Sequence, residues 1–374
     1  MIVHGIIGPF VGMMLDRFGP RRTFVLGSLL LGTGLALCSL INSWWQIYVF
    51  FGVVTGAGVG ATGWIPNATI IQQWFKEKRG LAMGIVSSGI GIGIFACVPS
   101  LQLLINLLGW RKAYLTMALS IPLIIISMTT LFLNRSPPIT RSNPIERETP
   151  HPSIKDPSII DEEWTSRSWT VRRAAATKQF WFLSLSFFLA SFITQSTLAH
   201  SVAFFVDQGL EALLASYIVG IIGIVSMVGK IIWGALSDRI GREVTWTIGI
   251  SSLICGLILL ITFVRVPSPY IPYLFTLFFG IGYAATSTLP PLITADFFEG
   301  RTYGSIYGTL NLLTGAGGAF GAWFAGFLFD QVKSYVPHFI ITVPCALIVC
   351  LNVWRAAPRK IRMVPGKRPH PAGS

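Results

Sequence analysis

Residues 12–22 read Gly12-Met-Met-Leu-Asp16-Arg17-Phe-Gly19-Pro20-Arg21-Arg22, and a similar stretch, Gly234-Ala-Leu-Ser-Asp238-Arg239-Ile-Gly241-Arg242, follows 222 residues later. Each copy comes after an apolar run and before another. A charged segment of this length, with a glycine that tolerates a tight turn, is typical of a hairpin between two membrane-spanning helices. The repeat therefore predicts two related halves, each with such a hairpin.

The composition places the chain in a lipid bilayer. Of 374 residues, 52% are hydrophobic and 11% are charged, and the mean hydropathy is +0.66. A water-soluble domain of this size needs far more polar surface. The net charge of +13 does not indicate a nucleic-acid partner, because the basic residues are divided among apolar runs instead of forming one solvated face. The five cysteines lie in apolar runs without the spacing of a zinc site, so we predict no metal and no cofactor.

The apolar runs set the number of helices. Residues 1–15 form a short run, fewer than the roughly 20 residues that a spanning helix needs. Ten longer runs follow it, which brings the predicted number of helices to eleven. They lie at about residues 23–42, 46–73, 81–106, 111–133, 180–206, 213–234, 244–264, 270–297, 303–329 and 335–355.

The repeated pattern G-x-x-x-D-R-x-G, with arginine close behind it, resembles the hairpin signature of the major facilitator superfamily of secondary transporters. The resemblance implies an all-α membrane protein with two pseudo-symmetric six-helix halves. About eleven of the twelve helices are present, and the first helix and the head of the second are expected to be missing. Two further segments are similar to the monocarboxylate porters and the oxalate/formate antiporters: residues 74–84, Trp74-Phe-Lys-Glu-Lys-Arg-Gly-Leu-Ala-Met-Gly84, and residues 295–304, Ala295-Asp-Phe-Phe-Glu-Gly-Arg-Thr-Tyr-Gly304.

Lysine and arginine positions predict the orientation. If the first hairpin is cytoplasmic, alternation puts most lysines and arginines on the cytoplasmic side, as the positive-inside rule requires. The expected organisation is an N-terminal half (1–133), a cytoplasmic linker (134–179), a C-terminal half (180–355) and a basic cytoplasmic tail (356–374). The linker is rich in proline and charge, which predicts mobility, and the tail is predicted to be disordered. The end of the linker, from Trp169 to Trp181, is expected to form a short interfacial helix with its tryptophans at headgroup level. We expect a multi-pass monomer in the plasma or inner membrane, with its C-terminus cytoplasmic.

The hairpin charges are candidate gating residues. A carboxylate is stabilised near the amino end of a helix. We therefore predict that Asp16 faces the helix that begins near Gly304, and that Asp238 faces the helix that begins near Gly80, closing the cytoplasmic side across the two halves. The alternative is that these are solvated loop charges that only set the topology. The predicted gating set is Asp16, Arg17, Arg21, Asp238, Arg239 and Arg242.

Lys230 is the principal binding candidate, since a lysine within a spanning helix costs about 2.5–3.5 kcal/mol at the bilayer centre. Either it faces a central cavity and binds a substrate carboxylate, or its side chain extends to the cytoplasmic interface. Its position also matches the basic residue of the eighth helix in the resembled branch. His200, Asn67 and Asn311 are further candidates to line the cavity, although polar side chains in apolar runs often only bridge helices.

The function predicted from the sequence is secondary active transport of a small mono- or dicarboxylate by alternating access, with a proton or a counter-anion as a further partner. Symport and antiport both remain open. A non-transporting membrane receptor or an inactive truncated fragment is the alternative. No enzyme motif such as H-E-x-x-H or G-x-S-x-G is present, so we predict that the chain is not an enzyme.

Overall fold

The structure, a computed structural model, describes residues 2–75, 78–133, 158–364 and 366. Each predicted apolar run forms a helix, with the first two joined in one kinked helix. The ten long helices are α1 (Ile2–Cys38), α2 (Trp44–Trp74), α3 (Arg79–Leu108), α4 (Trp110–Phe132), α5 (Lys178–Asp207), α6 (Ala212–Ile240), α7 (Arg242–Arg265), α8 (Ile271–Phe297), α9 (Tyr303–Val332) and α10 (Val336–Ala356). We call α1–α4 the first half and α5–α10 the second half.

The two glycine turns have the backbone that the repeat predicted. Gly19 has φ of 79° and divides α1 into two helical segments, and Gly241 has φ of 103° between α6 and α7. A residue with a Cβ is strained at these angles, which explains glycine at both places.

The outer surface is suited to lipid. Eight of the ten helices, all except α3 and α8, are long and apolar enough to cross a membrane by length and composition. Their outward side chains include Leu119 and Leu123 on α4 and Tyr217 on α6, which are 76%, 68% and 68% exposed. A water-soluble protein does not leave so many large apolar side chains uncovered, whereas a bilayer covers them.

The halves meet at two equivalent helix crossings, α1 with α9 and α3 with α6. At both crossings the backbones touch through glycine. A Cβ built at Gly12 would overlap the carbonyl oxygen of Gly304, and a Cβ built at Gly80 would overlap that of Gly234. Close approach through small residues is how membrane helices pack without a hydrophobic driving force. The two copies of the internal repeat thus make equivalent contacts with the opposite half.

The linker and the tail differ from the prediction. Most of the linker lies outside the described residues, but residues 158–177 are folded onto the second half and include two short helices, Glu162–Ser166 and Val171–Ala175. Trp164 donates its indole N–H to the Phe297 carbonyl at 2.8 Å. The tail continues as a 3₁₀ turn, Pro358–Lys360, and Arg362 pairs with Ile159 in an isolated β-bridge. The prediction of disorder is therefore wrong for the described part of the tail, and residues 158–168 are more ordered than predicted, whereas the short helix expected from Trp169 onward is present at Val171–Ala175.

Candidate functional site

A cavity of about 140 Å³ lies between the halves and is lined mainly by the second half. Helices α5, α6, α8 and α9 contribute polar side chains to it, and Trp64 of α2 and Ile90 of α3 complete it from the first half. The polar and aromatic residues that line it are Ser191, Thr194, Gln195, Lys230, Tyr283, Thr286, Ser287, Tyr307, Asn311 and Thr314. Such a set of hydroxyl, amide and ammonium groups can bind the oxygens of a small polar molecule.

Lys230 is the one cation among the described residues that line this cavity. It is only 4% exposed, so it does not extend to the membrane interface. Its ammonium lies 5.6 Å from the centroid of the Tyr283 ring, which stabilises the charge in part. The described residues place no carboxylate within ion-pair distance of it. An unpaired buried cation is costly, so this geometry favours the binding of an anion.

The other predicted binding residues have different surroundings. Asn311 lines the cavity with Lys230. Asn67 instead donates its amide to the carbonyls of Thr62 and Gly63, at 3.3 and 2.7 Å, within its own helix. It therefore satisfies backbone carbonyls where α2 is interrupted at Gly63, between the helical segments Gly56–Thr62 and Trp64–Trp74.

His200 also lies away from the cavity lining. Its Nε2 is 2.9 Å from the carbonyl oxygen of Ala322, and its Nδ1 is 3.3 Å from the hydroxyl of Tyr335. These contacts join α5 to α9 and to the start of α10. We do not include His200 or Asn67 in the proposed site.

His338 is a buried histidine that the sequence reasoning passed over. It is 0% exposed, and its Nε2 is 2.8 Å from the Ser196 hydroxyl, across α10 and α5. A histidine within an apolar run was the available signal. Its surroundings, which include the rings of Phe192 and Phe324, indicate a helix-bridging role.

The hairpin carboxylates lie at the amino ends of helices from the opposite half. Asp16 accepts hydrogen bonds from the backbone N–H groups of Gly304 and Ser305, at 3.1 and 2.8 Å, and from the Ser305 hydroxyl. Asp238 accepts from the N–H groups of Gly80 and Leu81, at 3.1 and 3.2 Å. Each carboxylate thus satisfies donors that the helix itself leaves unpaired. Both positions agree with the predicted contacts, while their gating role stays a prediction.

The gating arginines are not equivalent. Arg242 is buried and donates to Asp238 at 3.0 Å and to Asp296 at 3.1 Å. Arg17, Arg21 and Arg239 are exposed. Only Arg242 of the four therefore forms part of a buried ion-pair network in the described chain.

A second inter-half link was missed from the sequence. Arg79, buried at the start of α3, pairs with Glu299 in the turn before α9. Glu299 also pairs with Arg362 of the tail. Arg79 and Glu299 lie in the two segments that carried the family resemblance, but no pattern in the sequence pairs two residues 220 positions apart. The hairpin side of the molecule is thus closed by two capped helix ends and an ion-pair bridge.

The sequence is similar to known proteins along most of its length. Residues 1–322 match the family description Major Facilitator Superfamily. The chain is 25% identical to monocarboxylate transporter 12 of Xenopus laevis over 359 residues, covering 91% of this chain and 76% of that protein. It is 26% identical to the oxalate:formate antiporter of Oxalobacter formigenes over 345 residues, covering 89% of this chain and 78% of that protein.

Solved structures share the fold at low sequence identity. The proton:xylose symporter XylE has a TM-score of 0.74 at 16% identity, covering 95% of this chain and 83% of that one. The human organic anion transporter MFSD10 has a TM-score of 0.72 at 15% identity, covering 94% and 81%.

Proposed function

The chain belongs to the major facilitator superfamily, and from this premise we propose that it transports a small mono- or dicarboxylate by alternating access. It is a multi-pass membrane protein of a transporter family and not an enzyme. The observation that carries the proposal is Lys230, a buried ammonium on a polar cavity between the halves with no carboxylate partner in the described chain.

The chemistry of the cavity favours a carboxylate. A bound carboxylate would pair with the Lys230 ammonium and replace the water that burial removed. Asn311 and Gln195 can each donate an amide N–H to its oxygens from the neighbouring helices α9 and α5. The relatives named for monocarboxylate transport and for oxalate:formate antiport support the same class of substrate.

The closed hairpin side supports the alternating-access mechanism. Residues 1–133 and 180–355 are the two bodies that would rock about the central cavity. The helix caps made by Asp16 and Asp238 hold these bodies together on one side, so opening that side requires both caps to break. Arg242 stabilises this arrangement by orienting Asp238, whereas Arg17, Arg21 and Arg239 are exposed at the hairpin side.

The proposed orientation of the protein in the membrane rests on the distribution of its basic residues. With most lysine and arginine residues on the hairpin side, the hairpins and the C-terminus would be cytoplasmic in a plasma or inner membrane. A proton or a counter-anion would be the coupled species, and the carrier would act as a monomer.

The proposal is tested by substituting the cavity cation. We expect Lys230→Gln to weaken carboxylate binding by about 2–3 kcal/mol, since it removes a hydrogen bond to a charged group. Uptake of labelled oxalate, formate and lactate into proteoliposomes, with the half-saturating concentration measured for each, would show this as a rise of about 30-fold or more. Lys112→Gln, the same change at an exposed lysine, is the matched control. Unchanged half-saturation in Lys230→Gln for every carboxylate that the parent chain transports would refute the anion-binding role.

A further inference from the structure

Residues 162–178, which we call the basic ledge, form a folded segment directly before α5. They carry four cationic side chains, Arg167, Arg172, Arg173 and Lys178, and two carboxylates, Glu162 and Glu163. The ledge lies on the hairpin side, because Trp164 bonds the end of α8 and the Trp169 carbonyl accepts from Thr302 just before α9. None of these cations takes part in the proposed transport site or in the inter-half contacts.

A cavity of about 460 Å³ opens within the ledge and is lined by Arg167, Trp169, Arg173, Ala176 and Thr177. Arg173 donates from Nη1 to the Ser168 carbonyl and hydroxyl, at 2.8 and 2.7 Å. These bonds fix the guanidinium while leaving its Nε and Nη2 without an acceptor in the described chain. A guanidinium held this way is prepared to bind a planar or tetrahedral oxyanion.

The wall of the cavity has an unsatisfied donor. Trp169 is 6% exposed and packs against Trp164 and Phe298, with ring centroids 4.6 and 5.0 Å away. Its indole N–H has no hydrogen-bond partner among the described residues. The nitrogen is covered by protein, so Trp169 contributes a rigid aromatic wall to the cavity, and the arginines supply the donors.

Arg167 is held only weakly by the protein. Its guanidinium lies 5.8 Å from the centroid of the Trp164 ring and pairs with Glu163, and the Arg167 and Glu163 side chains are 48% and 83% exposed. An ion pair with that exposure contributes little, because water and salt screen it. A phosphate that reached the cavity could therefore replace Glu163 at little cost.

The ledge is at the level of the lipid headgroups. Lys178 begins the spanning helix α5, and Trp181, in its first turn, is 59% exposed. The Trp181 indole N–H donates to the Ala175 carbonyl at 2.9 Å, which ties this ring to the short helix of the ledge. An exposed tryptophan at the end of a span is typical of the membrane–water interface, where its ring meets lipid.

We propose that the basic ledge binds the phosphate of an anionic phospholipid headgroup, with Arg167 and Arg173 as its ligands. Free inorganic phosphate has the same oxygens, but the position at the start of a span and the exposed Trp181 favour a lipid as the source. The site is separate from Lys230 and does not depend on the transported substrate.

The test is native mass spectrometry of the purified full-length chain with dioleoyl phosphatidylglycerol, and with dioleoyl phosphatidylcholine as the neutral lipid. We expect tight binding of the anionic lipid alone, and a loss of about tenfold or more in the Arg167→Gln/Arg173→Gln variant. The variant Arg172→Gln/Lys178→Gln removes the same charge from neighbouring positions that do not line the cavity, and should lose less than about threefold. Equal losses in the two variants, or equal binding of the two lipids, would overturn the proposal.

A competition measurement and a further variant complete the test. Inorganic phosphate at millimolar concentration should not displace the lipid; displacement at that concentration would assign the cavity to a soluble anion and refute the lipid site. The variant Arg167→Lys/Arg173→Lys retains the charge but not the two-pronged geometry, so it remains informative if the glutamine variant fails to fold. It should weaken binding by about tenfold, and undiminished binding would contradict the assignment of these two arginines.

Discussion

The carboxylate of Asp16 offers a direct measurement of what holds the hairpin side closed. Asp16→Asn keeps the size of the side chain but replaces one acceptor oxygen with an NH₂ donor. In the closed structure both oxygens are used: Oδ1 accepts from the Gly304 N–H, and Oδ2 accepts from the Ser305 N–H and hydroxyl. Asparagine can satisfy one of these two sets and must direct a donor at the other.

The cost follows from these contacts. A hydrogen bond to a charged group contributes about 1.5–3 kcal/mol, and a carboxylate at a helix amino end about 0.3–1 kcal/mol, with some overlap between the two. We therefore expect the closed state to lose about 2–3 kcal/mol relative to an open state in which Asp16 faces water. This corresponds to a shift of about 30- to 150-fold in the ratio of closed to open molecules.

The assay is a distance measurement between the halves. Spin labels at Arg22 and Lys178, both exposed on the hairpin side, would report the separation in a background without the five native cysteines. Double electron–electron resonance should show a new, longer distance in Asp16→Asn. Arg17→Gln, a change of charge at an exposed neighbour, should leave the distribution as it was. An unaltered distribution in Asp16→Asn would refute the gating role of the cap.

Three other outcomes follow from the same structure. Gly12→Ala should lower the melting temperature, because its Cβ would overlap a carbonyl oxygen and overpacking costs about 1–3 kcal/mol. Gly89→Ala should not lower it, because no atom lies within 4 Å of the added Cβ. Equal effects of the two substitutions would contradict the close contact between α1 and α9. In a double-mutant cycle, Arg79→Gln and Glu299→Gln should couple by about 0.5–3 kcal/mol in the closed-to-open ratio, and additive effects would disprove the bridge. Counterflow of a carboxylate should exceed its net efflux by about tenfold or more. Net efflux requires the empty carrier to reorient, and Lys230 is then buried without an anion to pair with it. Equal rates of counterflow and net efflux would count against this role of Lys230.

Features that depend on local sequence were predictable. The glycine turns follow from the backbone angles that only glycine adopts freely, and the helices follow from long apolar runs. The internal repeat identified the helix ends that Asp16 and Asp238 would meet, and the structure has both contacts. Lys230 is buried, as one of its two predicted alternatives requires, while its role in binding stays a prediction.

Contacts that depend on how a helix is rotated about its axis, and on which segment it packs against, were not predictable. His200 and Asn67 were polar residues in apolar runs, but a single sequence does not show which face of a helix meets a cavity, so their contacts with the protein itself could not be foreseen. The linker was interpreted mainly from its prolines and charges, and only its end, from Trp169 onward, was expected to be helical. Trp164 was the neglected signal, since a large aromatic side chain in a polar segment commonly anchors it.

The repeat places Gly8 and Lys230 at equivalent positions, each four residues before the first glycine of its hairpin motif. Both positions pack closely against a glycine of the opposite half, Gly308 and Gly84 respectively, but only Lys230 adds a charged side chain that lines the cavity. The two halves are thus alike in how they contact each other and unlike in the chemistry that they offer to a bound molecule. Under the proposed function, substitutions meant to change the substrate should start around Lys230, whereas a side chain added at Gly8 would place its Cβ 2.8 Å from the Gly308 carbonyl oxygen.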